Sequence, residues 1–188
     1  MKVTSLAIPE VLLIEPQVFG DDRGWFMEAF NAQRFAEATG CSKSFLQDNQ
    51  SLSAHGVLRG LHYQIGAHPQ DKLVRVLSGE IFDVAVDIRR GSPTFGQWVG
   101  ATLSAQNKHQ LWVPVGFAHG FVVTSESAEV LYKVTAPYDK TGERSIRWND
   151  PSLGIDWPMS GVPSLSPKDT EAPSLEQADI FTAGSWES

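Results

Sequence analysis

Along this chain apolar residues recur in short runs or at every second position, and each run stops at Gly, Pro, Asn or Asp. A period of two sends successive side chains to opposite faces of an extended backbone, so the texture predicts strands rather than helices. The runs are "VLLIEPQVF" (11–19), "WFMEAF" (25–30), "FLQDNQSLS" (45–53), "LRGLHYQ" (58–64), "KLVRVLSG" (72–79) and "EIFDVAVDIR" (80–89). They continue with "QWVGATLS" (97–104), "QLWVPVG" (110–116), "HGFVVTS" (119–125), "EVLYKVTAPY" (129–138) and "RSIRWND" (144–150). So many strands at close spacing predict an all-β sandwich or barrel. Helix signals are few. "NAQRFAEATG" offers Asn31 as N-cap and Gly40 as a C-terminal stop. In "SPKDTEA", Ser166 is a candidate cap with Pro167 at the first helical position.

Composition narrows the picture. At 188 residues with 41% hydrophobic content, the chain is long enough for one sizeable core and short for two domains. Residues 1–180 are therefore expected to form one domain, with "FTAGSWES" (181–188) a mobile tail. The formal net charge of −7 opposes a general polyanion footprint, so nucleic acid is not an expected partner, although a small anion needs only a local cationic pocket. Cys41 is the single cysteine and excludes an intrachain disulfide. The N-terminal "LAIPEVLLIEP" is broken by Pro9 and Glu10 and lacks a basic start, so neither a signal peptide nor a membrane span is expected there. The expected setting is the cytoplasm.

Three positions stand out for chemistry. In "KLVRVLSG", alternation puts Lys72 on the same face as Val74 and Val76; the bland alternative is a strand-end lysine reaching for water. In "EVLYKVT", Tyr132 shares a face with Val130 and Val134, where a core tyrosine with a satisfied hydroxyl is the ordinary reading. In "LRGLHYQ", Arg59 and His62 have opposite parity and would leave a regular strand on opposite faces. Gly60 between them permits a bulge that re-aims one of the two.

The segment "PVGFAHGF" (114–121) has the spacing of the second half of the cupin signature, a small β-barrel superfamily with metal-binding members. The first half in those members carries paired histidines and a following Glu. Here "LHYQ" puts Gln64 at the second histidine, and "GAHPQDK" supplies no carboxylate at the right distance. His55, His68 and His109 lie beside glycine or in polar turns, so a three- or four-ligand metal site is hard to assemble. Proton transfer demands less: a base such as His62, an acid such as Tyr132, and a cation such as Lys72 for the developing charge. Asp169 in "SPKD" is a candidate to orient the imidazole, or simply a carboxylate at a helix start.

Several longer stretches then resemble one family. "FGDDRGWFMEAFN", "QDNQS", "VLRGLHYQ", "KLVRVLSGEIFDVAVDIRRGSPTFGQW", "LWVPVGFAHGF", "VLYKVTAPY" and "SIRWNDPSLGIDWP" are similar, in order, to the dTDP-4-dehydrorhamnose 3,5-epimerases. The resemblance implies a cupin-like jelly roll, a homodimer, no metal and no cofactor, and a dTDP-4-keto-6-deoxy sugar as substrate. It implies His62 as proton acceptor with Asp169 as its partner, Tyr132 as proton donor, and Lys72 near the C4 carbonyl oxygen. Arg23, Glu28, Gln47, Asp48, Asn49, Arg59, His119, Glu143 and Lys168 match substrate-contacting positions, and Tyr138 matches a residue stacked on the thymine. Arg23 and Arg59 are suited to pyrophosphate, which their forked donors fit. Absence of any G-x-G-x-x-G agrees with a reaction that needs no nicotinamide. The rivals are an epimerase that inverts only C3 or C5, a metal-dependent cupin enzyme, and a non-catalytic sugar-nucleotide-binding barrel.

Overall fold

The computed structural model describes residues 1–182 and 184–186. Thirteen strands and two helices follow in chain order: β1 (Lys2–Ser5), β2 (Leu12–Glu15), β3 (Val18–Asp21), β4 (Gly24–Met27), α1 (Ala32–Thr39), β5 (Gln47–Ala54) and β6 (Leu58–Gln64). Then come β7 (Lys72–Ser78), β8 (Glu80–Asp87), β9 (Trp98–Ser104), β10 (Gln110–Val113), β11 (Phe117–Val123), β12 (Ser127–Val134), β13 (Glu143–Ser145) and α2 (Pro167–Thr170). Two open sheets face one another: a six-stranded one in the order β1-β2-β10-β7-β12-β5 and a five-stranded one in the order β13-β6-β11-β8-β9. Every pairing within them is antiparallel. The hairpin β3–β4 stands apart from both. The result is the expected jelly-roll sandwich, with the sheets not closed into a barrel.

Three apolar clusters explain the hydrophobic pattern. The interior between the sheets holds Val74, Val76 and Val130 from one sheet against Ile81, Phe117 and Phe121 from the other. The outer face of the five-stranded sheet, with Val84, Val86 and Val122, is covered by the C-terminal segment through Leu153, Trp157, Leu175 and Phe181. β11 is thus covered on both faces and all seven of its residues are buried, so apart from His119 its sequence runs apolar without alternating. The third cluster seats Phe35 of α1 on Leu73 and Trp112 of the six-stranded sheet. α1 begins at Asn31, whose side chain accepts from the Arg34 amide, and ends at Gly40, whose φ of 74° is the left-handed turn that glycine accommodates.

Several boundaries differ from the alternation. The run 11–19 is two strands, parted at Pro16, which cannot donate to a ladder. β1 carries little apolar signal because it is a largely exposed edge strand. The run 144–150 pairs only at its start, and Asp150 then closes a turn by accepting from Ser152 and from the Leu175 amide. The expected tail starts at Phe181, which is 4% exposed and bridges Arg89, so the ordered packing reaches past residue 180. Residues 183, 187 and 188 of that tail lie outside the described residues. No helix among the described residues is long and apolar enough to cross a membrane.

Candidate active site

β6 does not run straight past β11. Its register on that neighbour shifts between the pairs His62–His119 and Arg59–Phe121, so three steps on β6 oppose two on β11. The extra residue falls at Gly60–Leu61, the bulge that the opposite parity of Arg59 and His62 requires. Gly60 has a φ of 129°, and a Cβ there would stand 2.5 Å from the Gly120 Cα. Only glycine fits so close to the neighbouring backbone. With the bulge in place, Arg59 and His62 both line one cavity of about 280 Å³ between the sheets.

On the five-stranded side, His62 Nε2 lies 2.5 Å from Asp169 Oδ1. Asp169 is 2% exposed and belongs to α2, where Ser166 caps its amide and donates from its hydroxyl to Oδ2. Asp169 is therefore both things the sequence allowed, a helix-start carboxylate and a partner for the imidazole. Burial lowers the His62 pKa, while the hydrogen bond and charge of Asp169 pull the other way. Burial alone raises a carboxyl pKa, yet the His62 and Ser166 contacts leave Asp169 lower than usual. A neutral imidazole that donates from Nε2 to Asp169 keeps the lone pair of Nδ1 free.

On the six-stranded side stand Lys72 and Tyr132. Lys72 is 7% exposed and its Nζ donates to the His62 carbonyl at 3.1 Å, so it does not reach for water. Burial brings its pKa down to about 8. Tyr132 packs one side of its ring on the inner core while lining the cavity. Its hydroxyl has no hydrogen-bond partner among the described residues, unlike a satisfied core tyrosine, and burial raises its pKa despite nearby Arg59. His62 and Tyr132 thus reach the cavity from opposite sheets.

The mouth is a polar network. The Tyr138 amide donates to Gln47 Oε1, and Gln47 Nε2 donates to Asn49 Oδ1 at 2.7 Å. The Tyr138 hydroxyl donates to Glu143, whose other oxygen accepts from Lys168 Nζ at 2.7 Å. The Tyr138 ring is 54% exposed, open to a flat ligand. Gln64, at the second histidine of the cupin pattern, donates to the His68 and Pro137 carbonyls and accepts from the Asp139 amide. Both ends of that amide hold the loop carrying Tyr138. No group of three or more His, Cys, Asp or Glu among the described residues is arranged to hold a metal ion.

Four positions that the resemblance singled out do not line this cavity: Asp169, which stands behind His62, and Asp48, Glu28 and Arg23. Asp48 points to the outer face of β5 and pairs with Lys133 at 2.9 Å. Glu28 pairs with Arg34, and Arg23 sits on the β3–β4 hairpin beside Asp21 with its side chain 90% exposed. Two residues that sequence reasoning passed over also belong to the site. Ser51 lines the cavity, and the period-two series Gln47, Asn49, Ser51 was the available signal. Asp83 accepts from His119 Nε2 at 2.7 Å, and a lone Asp inside the apolar "IFDVAV" was its signal.

Residues 5–177 match the family model described as dTDP-4-dehydrorhamnose 3,5-epimerase. The enzyme of that name from Pseudomonas aeruginosa is 62% identical over 181 residues, covering 96% of this chain and 99% of its own. The crystal structure of the dTDP-6-deoxy-D-glucose-3,5-epimerase of Legionella pneumophila, in complex with dTDP-4-keto-L-rhamnose, superposes with a TM-score of 0.93 at 52% identity, covering 96% of this chain and 97% of that one. A 3'-monoepimerase from Streptomyces bikiniensis, bound to dTDP-quinovose, is similar at TM-score 0.86 and 34% identity, over 92% of this chain and 87% of that one. Full-length similarity at this identity, on a cavity built from the same motifs, places the chain in the dTDP-4-dehydrorhamnose 3,5-epimerase family.

Proposed function

We propose that the protein inverts C3 and C5 of dTDP-4-dehydro-6-deoxy-D-glucose to give dTDP-4-dehydro-L-rhamnose, with His62 as base and Tyr132 as acid. The observation that carries this reading is the opposition of the two side chains across one cavity, with His62 backed by Asp169. Both reacting carbons lie α to the C4 ketone, so one base serves both. His62 Nδ1 takes the carbon-bound proton, and Asp169 stabilises the imidazolium that results. The electron pair moves to O4, where the Lys72 ammonium sits in a low-dielectric setting that strengthens its effect. Tyr132 then protonates the carbon from the opposite face. Its raised pKa keeps the phenol protonated at neutral pH, as a donor must be.

The rest of the cavity fits the nucleotide sugar. Arg59, held through Nε by Ser53 Oγ at 3.0 Å, pairs with the pyrophosphate. Tyr138 offers its open face to the thymine, and the Gln47, Asn49, Glu143 and Lys168 network orients the nucleoside end. His119 bounds the sugar. No cofactor takes part in these steps. The reaction belongs to the cytoplasm, in keeping with a lone cysteine and nucleotide-sugar chemistry.

The decisive experiment runs the reaction in deuterated water with the 4-keto-6-deoxyglucose nucleotide. Deuterium is expected at both C3 and C5 of the product. Label at one carbon alone makes the protein a mono-epimerase.

The working form is a homodimer. Phe19, Trp25 and Phe26 on the β3–β4 hairpin are 61%, 56% and 70% exposed, an apolar surface that a second copy covers. The same hairpin carries Arg23, and Glu28 follows it, so the dimer brings both to the neighbouring cavity. Complementation tests this. Arg23→Ala and His62→Asn each impair the homodimer, whereas mixed dimers regain one intact site and with it substantial turnover. A mixture no more active than the sum of its parts confines Arg23 to its own subunit.

A further inference from the structure

Among the described residues only two buried side-chain polar atoms lack a hydrogen-bond partner, Ser51 Oγ and Asp83 Oδ2. Most such atoms in folded proteins are paired, and an orphaned carboxylate oxygen needs a reason. Asp83 lies on β8 and is 0% exposed. Alternation places it on the face of Ile81 and Ala85, which belong to the interior between the sheets. Lys72 enters the same interior from the opposite sheet, on the face of Val74 and Val76. Asp83 Oδ1 takes the His119 Nε2 at 2.7 Å, which leaves Oδ2 with no local donor.

We infer that Asp83 is a positioning residue for the epimerisation: its buried carboxylate is the fixed counter-charge that keeps the Lys72 ammonium charged, and it holds the His119 ring against the cavity. The inference rests on the reading of Lys72 as the cation at O4. A direct ion pair would occupy the ammonium, but Lys72 makes none among the described residues, and its Nζ donates to the His62 carbonyl. A counter-charge at a remove preserves the charge and leaves donors for the substrate oxygen. The surroundings agree. Burial is the largest influence on Lys72 and brings its pKa to about 8; Asp83 is the strongest influence opposing that fall. Glu143 from β13 also supports the charge, and Lys168 from α2 opposes it. The remaining titratable groups lining the cavity are Arg59, His62 and Tyr63 on β6, His119 on β11, and Tyr132 and Tyr138 from the β12 side. None of these is a carboxylate.

The test is Asp83→Asn, which keeps an oxygen for His119 and deletes the charge. With lysine labelled by 15N, the Lys72 titration is followed by NMR in the wild type and the variant. Lys72 is charged below its pKa, so losing the counter-charge moves its titration, and the alkaline limb of kcat, to lower pH. A shift of about one pH unit is expected. Asp83→Glu restores the wild-type titration, and affinity for dTDP stays unchanged in both variants. If the asparagine variant does not fold, Asp83→Ser removes the same charge with a smaller side chain. Lys72 titrating at the wild-type pH in a folded charge-deleted variant overturns the inference. A wild-type alkaline limb that does not track the Lys72 titration refutes instead the placement of Lys72 at O4, and leaves its coupling to Asp83 measurable.

Discussion

His62→Asn is expected to abolish hydrogen exchange with solvent at both C3 and C5 of the substrate. Two His–carboxylate pairs border the cavity among the described residues, His62–Asp169 and His119–Asp83, and the His62 side chain is the more open of the two, at 27% exposed against 7%. Asparagine is the informative replacement. Its amide stops near the position of Nδ1, short of Asp169, but that carboxylate keeps the Ser166 hydroxyl on Oδ2 and is not left without a donor. What asparagine lacks is a basic nitrogen. Turnover is expected to fall by roughly 10²- to 10⁴-fold, the usual contribution of a general base. NMR of substrate recovered from deuterated water provides the readout. Near-wild-type exchange at either carbon would show that another group removes that proton, and the single-base mechanism would not stand. The acid limb of the wild-type pH profile adds a check: burial lowers the His62 pKa, so activity is expected to persist somewhat below the pH at which free histidine protonates.

Tyr132→Phe is expected to separate the two proton transfers. The ring packs against the inner core that includes Val130, and phenylalanine keeps that packing while deleting the hydroxyl alone. Loss of the acid is expected to cut product formation by roughly 10²- to 10⁴-fold. Abstraction is expected to survive, because His62 and Lys72 are untouched and the enolate still forms. In deuterated water the variant should wash label into recovered, uninverted substrate, as His62 returns a deuteron to the face it took a proton from. Exchange that disappears in step with turnover assigns Tyr132 to abstraction or binding. Full activity assigns reprotonation to water or to another acid.

Most of the fold was legible in the chain. The strands of the sandwich interior alternate, and β11, covered on both faces, reads as a mostly apolar stretch interrupted by His119. The caps of α1 were local: Asn31 and Gly40 act within a turn of the helix they bound. Less legible were elements whose partners are remote. β1 is an exposed edge strand that exists because β2 offers it a ladder, and Phe181 is ordered because the outer face of the five-stranded sheet has room for it. Neither fact is written in local propensity.

The same division runs through the site. From residues alone, Lys72 and Tyr132 were recognisable as polar groups on apolar faces, and Gly60 as the place where Arg59 and His62 could be turned to one side. Those are statements about single strands, where parity decides the face. Pairing Asp169 with His62 across 107 residues, or setting Tyr132 on the wall opposite His62, depends on which strands become neighbours in the two sheets. Asp83 shows the limit most plainly. In sequence it is one acidic residue in an apolar strand; the pairing of β8 with β11 sets it beside His119, and the packing of one sheet on the other puts it on the same interior as Lys72. Strand periodicity acts over a few residues and is carried by the sequence, whereas the electrostatics of a buried site depend on distances between strands, which only the tertiary structure decides.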